Sequence, residues 1–256
     1  MAITRFAAVA LALVVGSLTG CVTEGDRNPM DTRQGRMQAR DAYIQLGLGY
    51  VQQGNTEQAK VPLKKALELD SSSADAHAAL GLVFQAQGET ELADQEYRLA
   101  LRERPRDARI LNNYGSFLYE QGRYKDAYER FTQAAEDSLY PERARVFENL
   151  GLTALRLNQV DLGKENLEKS LRLDRNQPRA LFELAQLAYQ TRDYVPSRSY
   201  YQAFSQLSPQ DARSLLLGIR LAEVFNDRNT AASYALQLKR LYPNSPEYRQ
   251  LQSEQK

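Results

Sequence analysis

One spacing constrains this 256-residue chain more than any other feature: similar residues return every 34 positions. Leu46-Gly47, Leu80-Gly81 and Tyr114-Gly115 stand in one register. Ala59, Ala93 and Ala127 form a second column, and Ala66, Ala100 and Ala134 a third. Large residues at Leu63, Tyr97 and Phe131 and turn glycines at Gly54, Gly88 and Gly122 add two more. A fourth copy, with Gly151, Gly163, Leu167 and Ser170, arrives two residues late, the extra residues falling in Ser138-Leu139-Tyr140-Pro141. The fifth resumes with Ala185, Ser197, Tyr201 and Phe204, and the sixth with Ile219, Ala231, Ala235 and Leu238. Pro105, Pro209 and Pro243 share a closing column, where Ser71 and Arg175 stand in other copies. A period of this length marks stacked supersecondary units, none of which can bury its apolar face alone.

Each copy reads as two amphipathic helices. In the second, Ala74–Gln87 and Thr90–Arg102 flank Gly88, and apolar residues recur at spacings of three and four. Glycine within a helix costs about 0.5–1 kcal/mol relative to alanine. Its return at Gly47, Gly81, Gly115 and Gly151 therefore implies a packing reason. With Ala59, Ala93 and Ala127, these glycines are expected to let paired helices approach closely. The period and columns resemble the tetratricopeptide repeat. That resemblance implies an all-α fold, a right-handed superhelical solenoid of about six helix-turn-helix repeats over residues 40–245. The copies span about 40–73, 74–107, 108–143, 144–177, 178–211 and 212–245, and a polar C-terminal segment follows at 246–256, reading as a short tail or the start of a solvating helix. The family's usual tryptophan column holds Tyr43, His77, Leu111, Phe147, Leu181 and Leu215 here.

Residues 1–20 have a different character. Arg5 and the amino terminus give a positive start, and Phe6–Val15 is an uncharged apolar run, too short to span a bilayer as a helix. It fits a secretory signal peptide. Leu18-Thr19-Gly20-Cys21 then reads as a bacterial lipobox, with Cys21 the lipidated residue and new amino terminus. Val22 follows, where inner-membrane lipoproteins often carry Asp, so the resemblance implies the outer membrane, on its periplasmic face. Residues 21–39 read as the lipidated cysteine and a flexible tether, being polar with Gly25, Pro29 and Gly35 and no apolar period.

The rest of the composition removes chemistry. The chain has one cysteine, one histidine and no tryptophan. A structural zinc site needs about four Cys or His ligands, and a disulfide needs two cysteines. His77, the sole imidazole, falls in a column of bulky packing residues. Carboxylates such as Glu57, Glu89 and Glu91 stand at helix starts, where the macrodipole favours them. Lys plus Arg number 33 against 32 Asp plus Glu, without the basic excess of a nucleic-acid binder. No catalytic residue, metal ligand, small-molecule substrate or cofactor is expected, apart from the covalent lipid on Cys21; the chain reads as a non-enzyme.

A repeat of this kind offers the exposed side of each first helix to a partner. In the first copy that side reads Asp41, Ile44, Leu48 and Val51, and in the second Asp75, Ala78, Leu82 and Gln85. The later copies give Arg109, Asn112, Ser116 and Tyr119, then Arg145, Glu148, Leu152 and Leu155, then Arg179, Phe182, Gln186 and Tyr189. Ile44, Leu48, Val51 and Leu82 make an apolar strip, the expected partner-binding groove for a helix or an extended peptide.

Asn112–Tyr119, Ser138–Pro141 and Glu148–Arg156, with the two-residue insertion, resemble the type IV pilus biogenesis lipoproteins of the PilF/PilW pilotin family. The cysteine pair that some relatives carry near Tyr119 and Thr153 is absent here. The resemblance implies a scaffold that binds outer-membrane secretin subunits, carries them to the outer membrane with its lipid and promotes their multimerisation, hence pilus assembly. A repeat lipoprotein serving a barrel-assembly or cell-wall synthesis complex is the alternative.

Overall fold

The computed structural model describes residues 28–254, and among them every regular element is helical. The chain divides into two compact units, Met1–Ser71 and Ser72–Lys256. The signal segment and Cys21 lie outside the described residues.

The first unit contains a short 3-10 turn, Pro29–Asp31, and two helices, α1 (Arg33–Gln52) and α2 (Thr56–Leu69). Helix α1 starts earlier than composition suggested. The Thr32 hydroxyl accepts from the Gly35 amide at 2.9 Å, satisfying an otherwise orphaned donor. Residues 33–39 are therefore helical rather than part of the tether expected over 21–39. They show no apolar period because nearly all of them face water. The Arg40 guanidinium bridges to Asp70 at 2.6 Å, tying the start of the pair to its end.

The second unit holds five further pairs and a closing helix. The pairs are α3 (Ala74–Gln87) with α4 (Thr90–Glu103), α5 (Ala108–Glu120) with α6 (Tyr124–Ala135), and α7 (Arg143–Arg156) with α8 (Val160–Leu173). Then come α9 (Pro178–Gln190) with α10 (Tyr194–Leu207) and α11 (Ala212–Val224) with α12 (Arg228–Leu241). Within this unit each pair packs within itself and against its neighbours along the chain, the nearest-neighbour architecture of a solenoid. Residues 246–254 take the helical of the two forms expected for the polar C-terminal segment, as helix α13 (Pro246–Glu254). Its single buried apolar residue, Leu251, joins Leu215, Leu216, Ile219 and Leu238 and covers the end of the last pair.

The glycine columns have the steric reason expected of them. A Cβ on Gly47 would lie 2.5 Å from Leu63 Cγ. On Gly81 it would lie 2.9 Å from the Tyr97 ring, on Gly115 2.7 Å from Phe131, and on Gly151 2.6 Å from Leu167. Ala59, Ala93 and Ala127 are fully buried. In the sixth repeat the small residue shifts by one position: Gly218, not Ile219, takes the Tyr201 ring of the preceding repeat.

The turn within each pair has one backbone solution throughout. Gly54, Gly88, Gly122, Asn158, Arg192 and Asn226 all have φ between +57° and +75°. These positions are 34 residues apart, or 36 across the two-residue insertion, so the column extends beyond its glycines. Asn tolerates the left-handed region well, whereas Arg192 holds it at a cost.

The core runs continuously from repeat to repeat. Tyr97 of α4 stacks on Tyr114 of α5 at 5.4 Å between ring centres and meets Phe117 at 5.7 Å. Its hydroxyl donates to Gln85 Oε1 at 2.8 Å, so the buried phenol keeps a partner, and burial pushes its pKa far above the ordinary value.

Candidate partner-binding surface

The first helix of each pair carries the residues expected to meet a partner, and their burial separates them into rows. The row of Asp75, Arg109, Arg145, Arg179 and Arg213 is charged and partly open to water. The next row is not surface. Ile44 is only 4% exposed, and Ala78, Asn112, Glu148, Phe182 and Leu216 are buried too. Ile44 therefore leaves the expected groove. Within the second unit this row lies between successive first helices. Asn149 Nδ2 donates to Asn112 Oδ1 at 3.0 Å across one such junction.

Glu148 takes part in the next junction. Its Oε1 accepts from the Ala180 amide at 3.0 Å, so a carboxylate from α7 satisfies a free N–H at the start of α9. Burial raises its pKa from the ordinary carboxylate value, against the pull of Arg179, at 3.8 Å, and of the amide. Buried Glu148 thus reads as a junction cap. His77 is also buried, with Nδ1 2.6 Å from Glu96 Oε2. Its column supplies packing elsewhere, and here a polar contact as well.

Leu48 and Val51 remain partly open on α1, one helical turn apart. Leu82 belongs to the other unit, where it packs partly buried against the cluster around Tyr97, Leu111 and Phe117.

A stronger apolar surface lies on another face of α1. Leu46 is 49% exposed, whereas its equivalents Tyr114, Leu150 and Leu184 are buried. Ala42 is exposed, while Ile110, Val146 and Ala180 in its column are fully buried. Gly49 has open space where a Cβ would be. In the third and fifth repeats, both in the second unit, this column is covered by the pair before it: Leu184 packs with Leu152 and Leu167, and Tyr114 stacks on Tyr97, which Phe117 also meets. No pair precedes the first among the described residues. Sequence columns alone hid this, because they assign Leu46 the same role as its buried equivalents. Position within the array is the signal that distinguishes it.

The last pair is finished differently. Helix α13 buries Leu251 inward and leaves Arg249, Gln252 and Ser253 exposed to water. Among the described residues, no group of three or more His, Cys, Asp or Glu could hold a metal ion, and no helix is long and apolar enough to cross a membrane.

Residues 47–88 match the TPR repeat family, and residues 79–144, 115–162 and 148–212 match the Tetratricopeptide repeat family. The type IV pilus assembly protein PilF of Pseudomonas aeruginosa is 64% identical over 248 residues, covering 97% of this chain and 98% of the relative. This chain belongs to the PilF family. A solved structure of Pseudomonas aeruginosa PilF superposes with a TM-score of 0.85 at 65% identity, covering 86% of this chain and 99% of that one. PilW, described as a widely conserved type IV pilus biogenesis factor, gives a TM-score of 0.72 at 26% identity, covering 84% of this chain and 98% of its own. The PilF family is thus an all-α repeat family at both the sequence and the structural level, as the 34-residue period implied.

Proposed function

We propose that this member of the PilF family is a pilotin: a lipoprotein scaffold that captures secretin subunits and promotes their assembly in the outer membrane for type IV pilus biogenesis. The near full-length identity to a type IV pilus assembly protein carries the reading. The signal segment and the lipobox ending at Cys21 supply the address, with the lipid on Cys21 as the anchor and the periplasmic face of the outer membrane as the site of action. Lipoproteins of this class carry several acyl chains, and stable anchoring takes more than one.

Ala42, Leu46 and Gly49 supply the docking face, with Leu48 and Val51 on the same helix. Within the second unit, the equivalent column of the third and fifth repeats receives the second helix of the preceding pair. The partner segment that fits is therefore an amphipathic helix, laid where such a helix would lie in the array. Binding and tethering do the work, with no bond made or broken. Two molecules held in one membrane layer meet at a raised effective concentration.

The test is a deletion strain complemented with the full chain or with Leu46→Asp. The wild-type chain should restore secretin multimers to the outer-membrane fraction. Leu46→Asp should fold normally by circular dichroism and restore at most about a tenth as many. Full restoration by a folded Leu46→Asp protein would remove the face from the reading, and failure of the wild-type chain would remove the function.

A further inference from the structure

The ends of the second helices in the last three pairs share a feature that partner capture does not use. Leu173, Leu207 and Leu241 are the final residues of α8, α10 and α12, 34 residues apart. They are 48%, 44% and 59% exposed. Single exposed leucines need no explanation. These three form a row along one edge of stacked pairs, each separated from the next by a whole repeat. A row spaced in this way makes no continuous groove for a peptide, but each side chain can enter a soft apolar layer independently.

The cations beside the row complete the pattern. Arg172 and Arg175 flank Leu173, and Lys239 and Arg240 precede Leu241. All four are exposed and form no ion pair among the described residues. Two carboxylates near this edge are engaged in shaping the backbone. Asp174 accepts from the Asn176 amide and the Gln177 side chain, at 2.9 and 2.8 Å. Asp211 caps α11 through a reciprocal pair with Ser214. A cavity of about 660 Å³ opens beside Arg172 and Arg175, floored by Leu171, Leu181, Tyr200 and Ala203, with Glu168 and Ser199 also in its lining. Its apolar floor suits a hydrocarbon body, and its two arginines outnumber the one carboxylate, which leaves a net positive charge for an anionic head.

We propose that the edge formed by Leu173, Leu207 and Leu241, with Arg172, Arg175, Lys239 and Arg240, is a membrane-contact surface for anionic phospholipid. The leucines enter the boundary between headgroups and acyl chains, while the guanidinium and ammonium groups meet the phosphates. Contact of this kind needs no acyl group on Cys21, so it stands apart from the anchor and from secretin capture.

The experiment uses the mature chain with Cys21→Ser, which cannot be acylated, and flotation with phosphatidylglycerol vesicles or with phosphatidylcholine vesicles. The chain should float with the anionic vesicles, at least fivefold more than with the zwitterionic ones, and less as salt rises. Replacing the three leucines by serine, or Arg172 and Arg175 by glutamine, should each reduce flotation at least fivefold with an unchanged thermal melt. Because these side chains are exposed, the variants are expected to fold. Absence of flotation, equal flotation with both vesicle types, or flotation unchanged in the folded variants would overturn the proposal. Secretin capture, measured on the same variants, should stay at the wild-type level. Its loss together with vesicle binding would mean that the edge is a protein-docking surface, and would also overturn the proposal.

Discussion

At the residue scale, the glycines of α1 and α5 make opposite predictions from the same chemistry. Alanine gains about 0.5–1 kcal/mol over glycine in a helix, wherever there is room. At Gly49 a Cβ meets nothing within 4 Å, so Gly49→Ala should raise the thermal midpoint. At Gly115 a Cβ would press on the buried Phe131 ring at 2.7 Å, and overpacking of this kind costs about 1–3 kcal/mol. Gly115→Ala should therefore lower stability by about 1–2 kcal/mol despite its helix propensity. Equal melts for the two variants would contradict the packing account. Glu148 makes a prediction in pH. Its folded-state pKa is raised by burial, so above the ordinary carboxylate value the folded chain holds a proton that the unfolded chain has lost. Stability attributable to this group therefore falls as pH rises through that window. Glu148→Gln keeps an oxygen for the Ala180 amide and removes the titration. The variant should be unchanged or up to about 1 kcal/mol more stable at neutral pH, with a flatter dependence of the melt on pH. A lower melt at neutral pH, with the pH slope retained, would show that Arg179 stabilises the carboxylate more than burial penalises it.

At the scale of elements, α13 is the clearest case. Its inward face carries one buried apolar residue, Leu251, over Leu215, Leu216, Ile219 and Leu238. Truncating a buried leucine costs about 2–5 kcal/mol, and in a repeat array that loss is felt first by the nearest neighbour. Leu251→Ala should speed amide exchange in α11 and α12 well before α5 and α6 respond; uniform loss of protection would argue against near-neighbour stability. The same helix shows where sequence reading stops. Pairs α3 to α12 were legible because their identities repeat, and repetition averages out local ambiguity. Among the described residues helix α13 has no second helix to pair with and so no column to confirm it, and its polar composition leaves a tail and a solvating helix equally open. The start of α1 was hidden in the same way, since Thr32 caps a stretch with no buried face. Leu46 departs from its column for a related reason: a column states what a position does in an average repeat, and among the described residues no pair precedes the first. Ile44 is a different case, since its whole column is buried, and the expectation of an exposed row was wrong in every repeat.

At the scale of the whole molecule, anchor and docking face are separable requirements, and their separation tests the proposed function directly. Cys21→Ala should leave the repeats folded and able to bind secretin in solution, because no described contact depends on the residues before Asn28. It should fail to bring secretin to the outer membrane, since the acyl chains are lost. Leu46→Asp should do the reverse, reaching the outer membrane while binding secretin at least tenfold more weakly. Tethering multiplies encounters only when one molecule carries both the anchor and the binding face. Co-expressing the two variants should therefore not restore secretin multimers, whereas the wild-type chain restores them from a single copy. Recovery of multimers by the mixed pair would mean that capture and delivery are performed by different molecules, and the coupling of lipid anchor to helix-binding face would have to be abandoned.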